Sequence, residues 1–250
     1  MSGLGERSRG DDSRRSHPRV KICGVTRPAD AAQVISAGGD WIGINFHPPS
    51  PRYVEREVAA AIIAAIPIDR SVGVFVDRDP REVIAIAQSV GLRIVQLHGN
   101  EPPEHVLQIK SAGMRVVRAF RIADASGVVD IASFQMKARG LGAAADAVLV
   151  DAFVPGLAGG TGKTIPSEIL GLLPPSADPE SDPGDDRDLR PRLILAGGLN
   201  PQNVGRYIDR VHPWMVDVAG GVESAAGIKD ADLVDSFIRA VRSTRSVDRS

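Results

Sequence analysis

The stretch Val20-Lys21-Ile22-Cys23-Gly24-Val25-Thr26 decides how the chain is read. It is short, apolar and β-branched, holds the only cysteine, and ends in a glycine turn just ahead of Pro28. Such a pattern is a buried strand running through a tight loop into a helix. In a parallel α/β barrel the chemistry gathers at strand ends of this kind, because the βα loops share one face. Side chains alternate along a strand, so Lys21 and Cys23 lie on one face. Cys23 is then a candidate proton-moving residue at the rim. Lys21 points into the barrel lower down, as a paired core charge.

Outward from this stretch a rhythm repeats. Apolar runs at 20–24, 41–46, 71–76, 93–97, 115–120, 147–151, 193–196 and 214–218 read as strands. Helical stretches at 28–37, 55–65, 80–90, 103–112, 127–138, 166–173, 201–208 and 229–241 separate and follow them. Several of these helices open with proline in the first turn, where its missing N–H costs nothing. Near-continuous apolar strands alternating with helices make a parallel sheet covered on its faces. Eight strand–helix pairs fit a single (β/α)8 TIM barrel over residues 20–242; an open doubly wound sheet is the alternative. Residues 1–19, polar and Arg-rich, are expected to be a disordered arm, and residues 243–250 a disordered tail. The segment 174–190, PPSADPESDPGDDRDLR, is expected to be a flexible acidic insert between helix six and strand seven. A helix-to-strand loop lies at the face away from barrel chemistry.

Composition narrows the function classes. The chain has 250 residues, 43% hydrophobic and 24% charged, with a formal net charge of −1. This is ordinary globular composition, without the basic face that nucleic acid would demand. One cysteine excludes an intramolecular disulfide framework. No apolar run approaches the ~18 residues of a membrane span, and the first residues lack the apolar core of a secretory signal. A cytoplasmic setting is expected.

The strand ends supply the candidate chemistry. Two glycine pairs, Gly197-Gly198 and Gly220-Gly221, follow the last two strands. Glycine-turn N–H groups cradle a phosphate dianion, and a barrel commonly uses its last two loops for this. The run GGTGKT (159–164) is not a P-loop, since Leu157 stands where the first glycine is required and Gly156 is one residue early. It reads instead as a loop, including Gly160, Gly162 and Lys163, that closes over substrate and excludes water. Asp151 ends the sixth strand. A thiolate at Cys23 and a proton-donating carboxyl at Asp151, on opposite walls, make a base and an acid. His98 ends the fourth strand, where an imidazole can bond a ligand or the wall. Arg52 follows Ser50-Pro51 in a constrained turn suited to an anion fork. The histidines at 17, 47, 98, 105 and 212 have no metal-site spacing.

These residues resemble the phosphoribosylanthranilate isomerase family of tryptophan biosynthesis. The likeness is carried by KICGVT (21–26), SPRYV (50–54), VGVFV (72–76), VQLHG (95–99), GGTGKT (159–164), LAGGLNPQNV (195–204), VDVAGGVES (216–224) and GIKD (227–230). The resemblance implies a cofactor-free Amadori rearrangement of N-(5-phosphoribosyl)anthranilate to 1-(2-carboxyphenylamino)-1-deoxyribulose 5-phosphate. It implies Cys23 as general base and Asp151 as general acid. Arg52 would bind the anthranilate carboxylate, with His98 and Asp217 as further substrate-binding residues. Gly197, Gly198, Gly220 and Gly221 would hold the phosphate. The only partner implied is the phosphoribosyl substrate, with a monomer or homodimer compatible. The chain departs from the family pattern at Ala219-Gly220, where serines are frequent, and at Ile165-Pro166-Ser167, where Phe-Asp-Trp is frequent. A histidine-pathway isomerase on the same fold would carry aspartate in place of Cys23. A barrel that only binds a phosphosugar would not need both acid and base.

Overall fold

Val20 and Ile22 leave β1 (Arg19–Cys23) on the side opposite Lys21 and Cys23, and the same alternation runs around the whole sheet. The computed structural model describes residues 17–152, 170–176 and 190–244. Within them β1, β2 (Trp41–Asn45), β3 (Ser71–Phe75), β4 (Ile94–Leu97), β5 (Arg115–Ile122), β6 (Ala147–Ala152), β7 (Leu193–Ala196) and β8 (Met215–Val218) form a closed parallel barrel in chain order. Closure is made by β1 against β8, where Lys21 is the register partner of Asp217. The open doubly wound sheet is thereby excluded.

Outward residues such as Ile22, Ile44, Val95, Val150 and Leu195 pack against the helices in one continuous core. Inward residues Val72, Ile94, Val117, Leu149, Ile194 and Met215 fill the barrel as a separate cluster. Both sets are removed from water, at about 1.5–3 kcal/mol for each fully buried aliphatic side chain. The N-terminal end of the barrel is plugged by Trp41 and Trp214, edge to face with ring centroids 5.4 Å apart. Arg19 and Arg192 lie over Trp214, and Arg115 over Trp41.

Local chemistry sets the helix boundaries. Proline opens α1 (Pro28–Ser36), α3 (Pro80–Val90) and α4 (Pro103–Ser111), as expected. Between them α2 (Arg56–Ala64) packs Ala59, Ile62 and Ile63 inward. The fifth helix, expected from residue 127, begins earlier as α5 (Ala125–Gly140), because Asp124 caps it through the Ser126 N–H. The helix expected at 201–208 starts later, as α6 (Val204–Val211). Residues 200–203 are instead an Asn turn, in which Asn200 Oδ1 accepts from the N–H groups of Gln202 and Asn203. The last helix, α7 (Ala231–Arg242), starts after Asp230, which caps it through the Leu233 N–H. Ahead of it a small hairpin, β9 (Glu223–Ala225) with β10 (Ile228–Lys229), folds back toward the rim. Arg19, assigned to the arm from sequence, belongs to β1 and pairs with Met215. Residues 1–16, most of the acidic insert, the sixth helix up to residue 169 and the end of the tail lie outside the described residues.

Candidate active site

Strand alternation sends a small set of polar side chains to the inside of one rim. Ala147 and Leu149 belong to the inner cluster, so Asp151, two further along β6, also faces in. By the same rule Cys23 faces in from β1 and Asp217 from β8, as do Gln96 and the following His98 from β4. Cys23 and Asp151 therefore stand on different walls of one interior, with β7 and β8 between them. Both are C-terminal residues or near-terminal residues of their strands.

The wall around Cys23 is dense with charge. Lys21 is fully buried and its Nζ donates to Asp217 Oδ2 at 3.0 Å. The paired core charge expected for Lys21 is thus present, with Asp217 as its partner. Asp217 Oδ1 is buried and has no hydrogen-bond partner among the described residues. Above them Lys229, from β10, donates to the Cys23 carbonyl at 2.6 Å, the Ala219 carbonyl at 3.3 Å and Glu223 Oε1 at 2.7 Å. Glu223 also receives Arg52, Nε to Oε1 at 2.9 Å and Nη2 to Oε2 at 2.7 Å. Burial works to raise the Glu223 carboxyl, but hydrogen bonds from Arg52 and Lys229 outweigh it and hold the group below the usual glutamate range. For Lys229 burial wins over Glu223 and lowers the ammonium. For Lys21 burial is outweighed by the Asp217 charge, and the ammonium is held above its ordinary value. Burial pushes the Cys23 thiol up, against the opposing pull of Lys21 and Lys229.

This crowding needs an absent side chain. A Cβ on Gly43, the neighbour of Cys23 across β2, would stand 2.6 Å from Cys23 Sγ and 3.1 Å from Lys21 Nζ. Arg52 is aimed by its own turn. Ser50 Oγ receives the Arg52 N–H and the Asn45 side-chain amide, each at 3.1 Å, which ties the turn to the end of β2. Since Nε and Nη2 serve Glu223, Nη1 of Arg52 has no partner among the described residues.

The wall around Asp151 is built otherwise. His98 Nε2 lies 3.5 Å from Asp151 Oδ2, with the two side chains 18% and 29% exposed. Gln96 Nε2 lies 3.0 Å from His98 Nδ1. An amide nitrogen at that place would make Nδ1 the acceptor, while Nε2 is buried and makes no hydrogen bond among the described residues. The His98 backbone is fixed from below. Its N–H donates to Phe75 at 2.8 Å, and buried Glu101 accepts from the N–H groups of Gly99 and Asp77. Buried Arg118 bonds the carbonyls of Leu97 and Gly99 on either side.

The two glycine loops touch. Gly197 and Gly198 have φ of 98° and 61°, in the left-handed region that glycine adopts without strain. Their N–H groups have no acceptor among the described residues, while the Gly198 carbonyl receives Asn203 at 2.9 Å. A Cβ on Gly221 would overlap the Leu199 carbonyl oxygen, so only glycine lets the β8 loop lie against the β7 loop. Gly160, Gly162 and Lys163 lie outside the described residues.

Sequence reasoning overlooked Glu223 and Lys229 as parts of this site. Their signal was the pair of motifs after β8, VES and IKD, which were read only as a likeness. Among the described residues no group of three or more His, Cys, Asp or Glu is arranged to hold a metal ion, and no helix is long and apolar enough to cross a membrane.

The model of the N-(5'-phosphoribosyl)anthranilate (PRA) isomerase family matches residues 20–240. The N-(5'-phosphoribosyl)anthranilate isomerase of Chlorobaculum tepidum is 41% identical over 234 residues, covering 93% of this chain and 97% of its own. The crystal structure of phosphoribosyl anthranilate isomerase from Thermotoga maritima superposes with a TM-score of 0.75 at 34% identity, covering 90% of this chain and 98% of its own. A phosphoribosyl anthranilate isomerase in complex with reduced 1-(o-carboxyphenylamino)-1-deoxyribulose 5-phosphate superposes with a TM-score of 0.71 at 32% identity, covering 90% and 98%. A barrel of eight parallel strands, a lone inward thiol facing a carboxyl across one rim, and a family match over nearly the whole barrel agree: the chain belongs to the phosphoribosylanthranilate isomerase family.

Proposed function

We propose that Cys23 and Asp151 carry out, as general base and general acid, the Amadori rearrangement of this family: N-(5-phosphoribosyl)anthranilate to 1-(2-carboxyphenylamino)-1-deoxyribulose 5-phosphate. The observation that carries the assignment is that both residues face the interior at the same rim, on separate walls, so one sugar can lie between them.

Asp151 gives a proton to the furanose ring oxygen as the C1–O bond breaks. The nitrogen lone pair moves in to form a C1 iminium. That cation is the electron sink that makes the C2 proton acidic, and the Cys23 thiolate then removes it. The C2–H electrons form the C1–C2 double bond of an enolamine, and the iminium π electrons return to nitrogen. Tautomerisation moves the C2 hydroxyl proton to C1 and leaves the ketone. Nothing is oxidised or reduced overall: the substrate gains one proton at the ring oxygen and loses one at C2, and the proton left on Cys23 and the one given by Asp151 are exchanged through solvent before the next turnover.

The other contacts follow from unspent hydrogen-bonding capacity. Nη1 of Arg52 is free to meet the anthranilate carboxylate while Glu223 keeps the guanidinium aimed. Asp217 Oδ1 is free to accept from a sugar hydroxyl, and a ligand that reaches it removes a buried orphan. The open N–H groups of Gly197 and Gly198, with the Gly220-Gly221 loop against them, suit the 5-phosphate. His98, whose Nε2 is without a hydrogen-bond partner among the described residues, stands beside Asp151 as a substrate-binding residue.

The test is turnover of freshly made phosphoribosylanthranilate, followed as loss of its anthranilate fluorescence. The wild-type chain is expected to consume it, and Cys23→Ser and Asp151→Asn to fail. Full rate in either variant removes that residue from its role.

A further inference from the structure

Lys21 has no part in the mechanism above, yet it is a fully buried ammonium one turn of the pleat below the thiol. Stability alone does not account for it. Burying an ion pair is costly, and a well-packed apolar pair of the same volume is often as stable or more so. We propose that Lys21 is a positioning residue for Cys23: its ammonium, clamped by Asp217, supplies the hydrogen bonds and positive charge that the thiolate needs when it acts as base. This rests on the reading of Cys23 as that base.

Three observations carry it. First, Cys23 Sγ and Lys21 Nζ share one notch, the space that the missing Gly43 side chain leaves open. Second, donor capacity singles Lys21 out. An ammonium has three N–H donors. Lys229 spends its donors on the Cys23 carbonyl, the Ala219 carbonyl and Glu223. Arg52 spends two on Glu223. Lys21 has a single acceptor among the described residues, Asp217 Oδ2, and is left with donors for the sulfur. Third, the charges do not balance without the thiolate. The groups facing Cys23 are Lys21 on its own strand, Asp217 on β8, Lys229 and Glu223 on the hairpin, and Arg52 on the β2 loop. The cations outnumber the carboxylates by one, and ionised sulfur neutralises the cluster. Burial raises the Cys23 thiol and Asp217 adds to that; Lys21 is the largest of the groups that pull it back toward ionisation, with Lys229 behind it.

The experiment reads ionisation of Cys23 without turnover, as the pH dependence of its alkylation by iodoacetamide. Cys23 is the only cysteine, so the signal has one source. In Lys21→Met the midpoint is expected to rise by about one pH unit or more, and in Lys21→Arg to stay near wild type. In Asp217→Asn, where the carboxylate is lost and the ammonium kept, it is expected to fall. A packing defect would move both variants the same way, so shifts of opposite sign support the proposal. An unmoved midpoint in Lys21→Met, or shifts of the same sign, overturns it. If Lys21→Met does not fold, the sign of the Asp217→Asn shift decides: a fall supports the charge relation, and no change or a rise overturns it. Turnover in Lys21→Met is expected to drop about three- to tenfold, since a thiolate of higher pKa is scarcer but individually more basic. Should Cys23→Ser turn over at full rate while the alkylation midpoints still shift, the base reading fails and the electrostatic relation stands. Should the midpoints stay fixed while Cys23→Ser is inactive, the failure belongs to Lys21 alone.

Discussion

The wall bearing Cys23 and the wall bearing Asp151 face each other across one rim, but they are made of different material. Around the thiol, Lys21, Asp217, Lys229 and Glu223 are all buried or nearly so and meet at 2.6–3.0 Å in bonds between charged groups or to the Cys23 backbone. Around the carboxyl, among the described residues, there is one imidazole at 3.5 Å, beside one neutral amide, and Asp151 is 29% exposed. Charge acts strongly where water is excluded and weakly where it is not. The first wall can therefore fix an ionisation state by Coulomb forces. The second sets an imidazole beside its carboxyl and leaves that carboxyl partly exposed.

The largest effects should separate chemistry from architecture. Cys23→Ser and Asp151→Asn are each expected to lose about 10²–10⁴ in kcat, the range for a general acid or base, with Tm close to wild type. A fall in Tm as large as that of a core mutant would undo the contrast. Next, Glu223→Ala leaves Arg52 and Lys229 without their shared carboxylate. Because Arg52 is partly exposed, the expected loss is about 2–3 kcal/mol in chemical denaturation, below the full cost of stripping a buried pair. His98→Ala at the opposite wall should cost under about 1 kcal/mol by the same measurement, as befits a partly exposed contact. Comparable losses for the two would erase the asymmetry. In third place, Gly43→Ala drives a methyl group against sulfur and ammonium and should destabilise by about 1–3 kcal/mol. Smaller again is Gln96→Leu. It should lower kcat by about tenfold or less and be partly rescued in Gln96→Asn, if the amide sets the His98 tautomer.

The smallest signal is a pH dependence. Burial raises the Glu223 carboxyl, and its bonds from Arg52 and Lys229 more than reverse that, leaving the folded group below its unfolded value. A depressed carboxyl stabilises above its unfolded pKa, about 4.3, and the contribution disappears as pH falls through the folded value. The Tm gap between wild type and Glu223→Gln should hold at neutral pH and narrow below about pH 4.

Much of this could be read before any coordinates. The number of strands, the rim residues and the inward placement of Lys21 follow from hydrophobic runs and two-residue alternation, which are local; its pairing with Asp217, 196 residues away, does not. Helix starts were misjudged where one side chain overrode the pattern: Asp124 and Asp230 as caps, Asn200 as a turn. The Arg52–Glu223 and Lys229–Cys23 bonds could not be derived, because they join positions 171 and 206 residues apart through a hairpin that no periodicity announces. Long-range contacts leave no local trace, so the residues of each wall were legible and their partners across the rim were not.

Lys229 grips the carbonyl of the cysteine, and β8 seals against β1. Cys23 and Lys21 lie on the first strand of the barrel, whereas Asp217, Glu223 and Lys229 lie on the eighth strand and the hairpin after it. Until those two strands pair, Lys21 lacks the carboxylate that clamps its ammonium. The charge cluster beside the sulfur is therefore a product of barrel closure, and whatever loosens that one seam dissolves it.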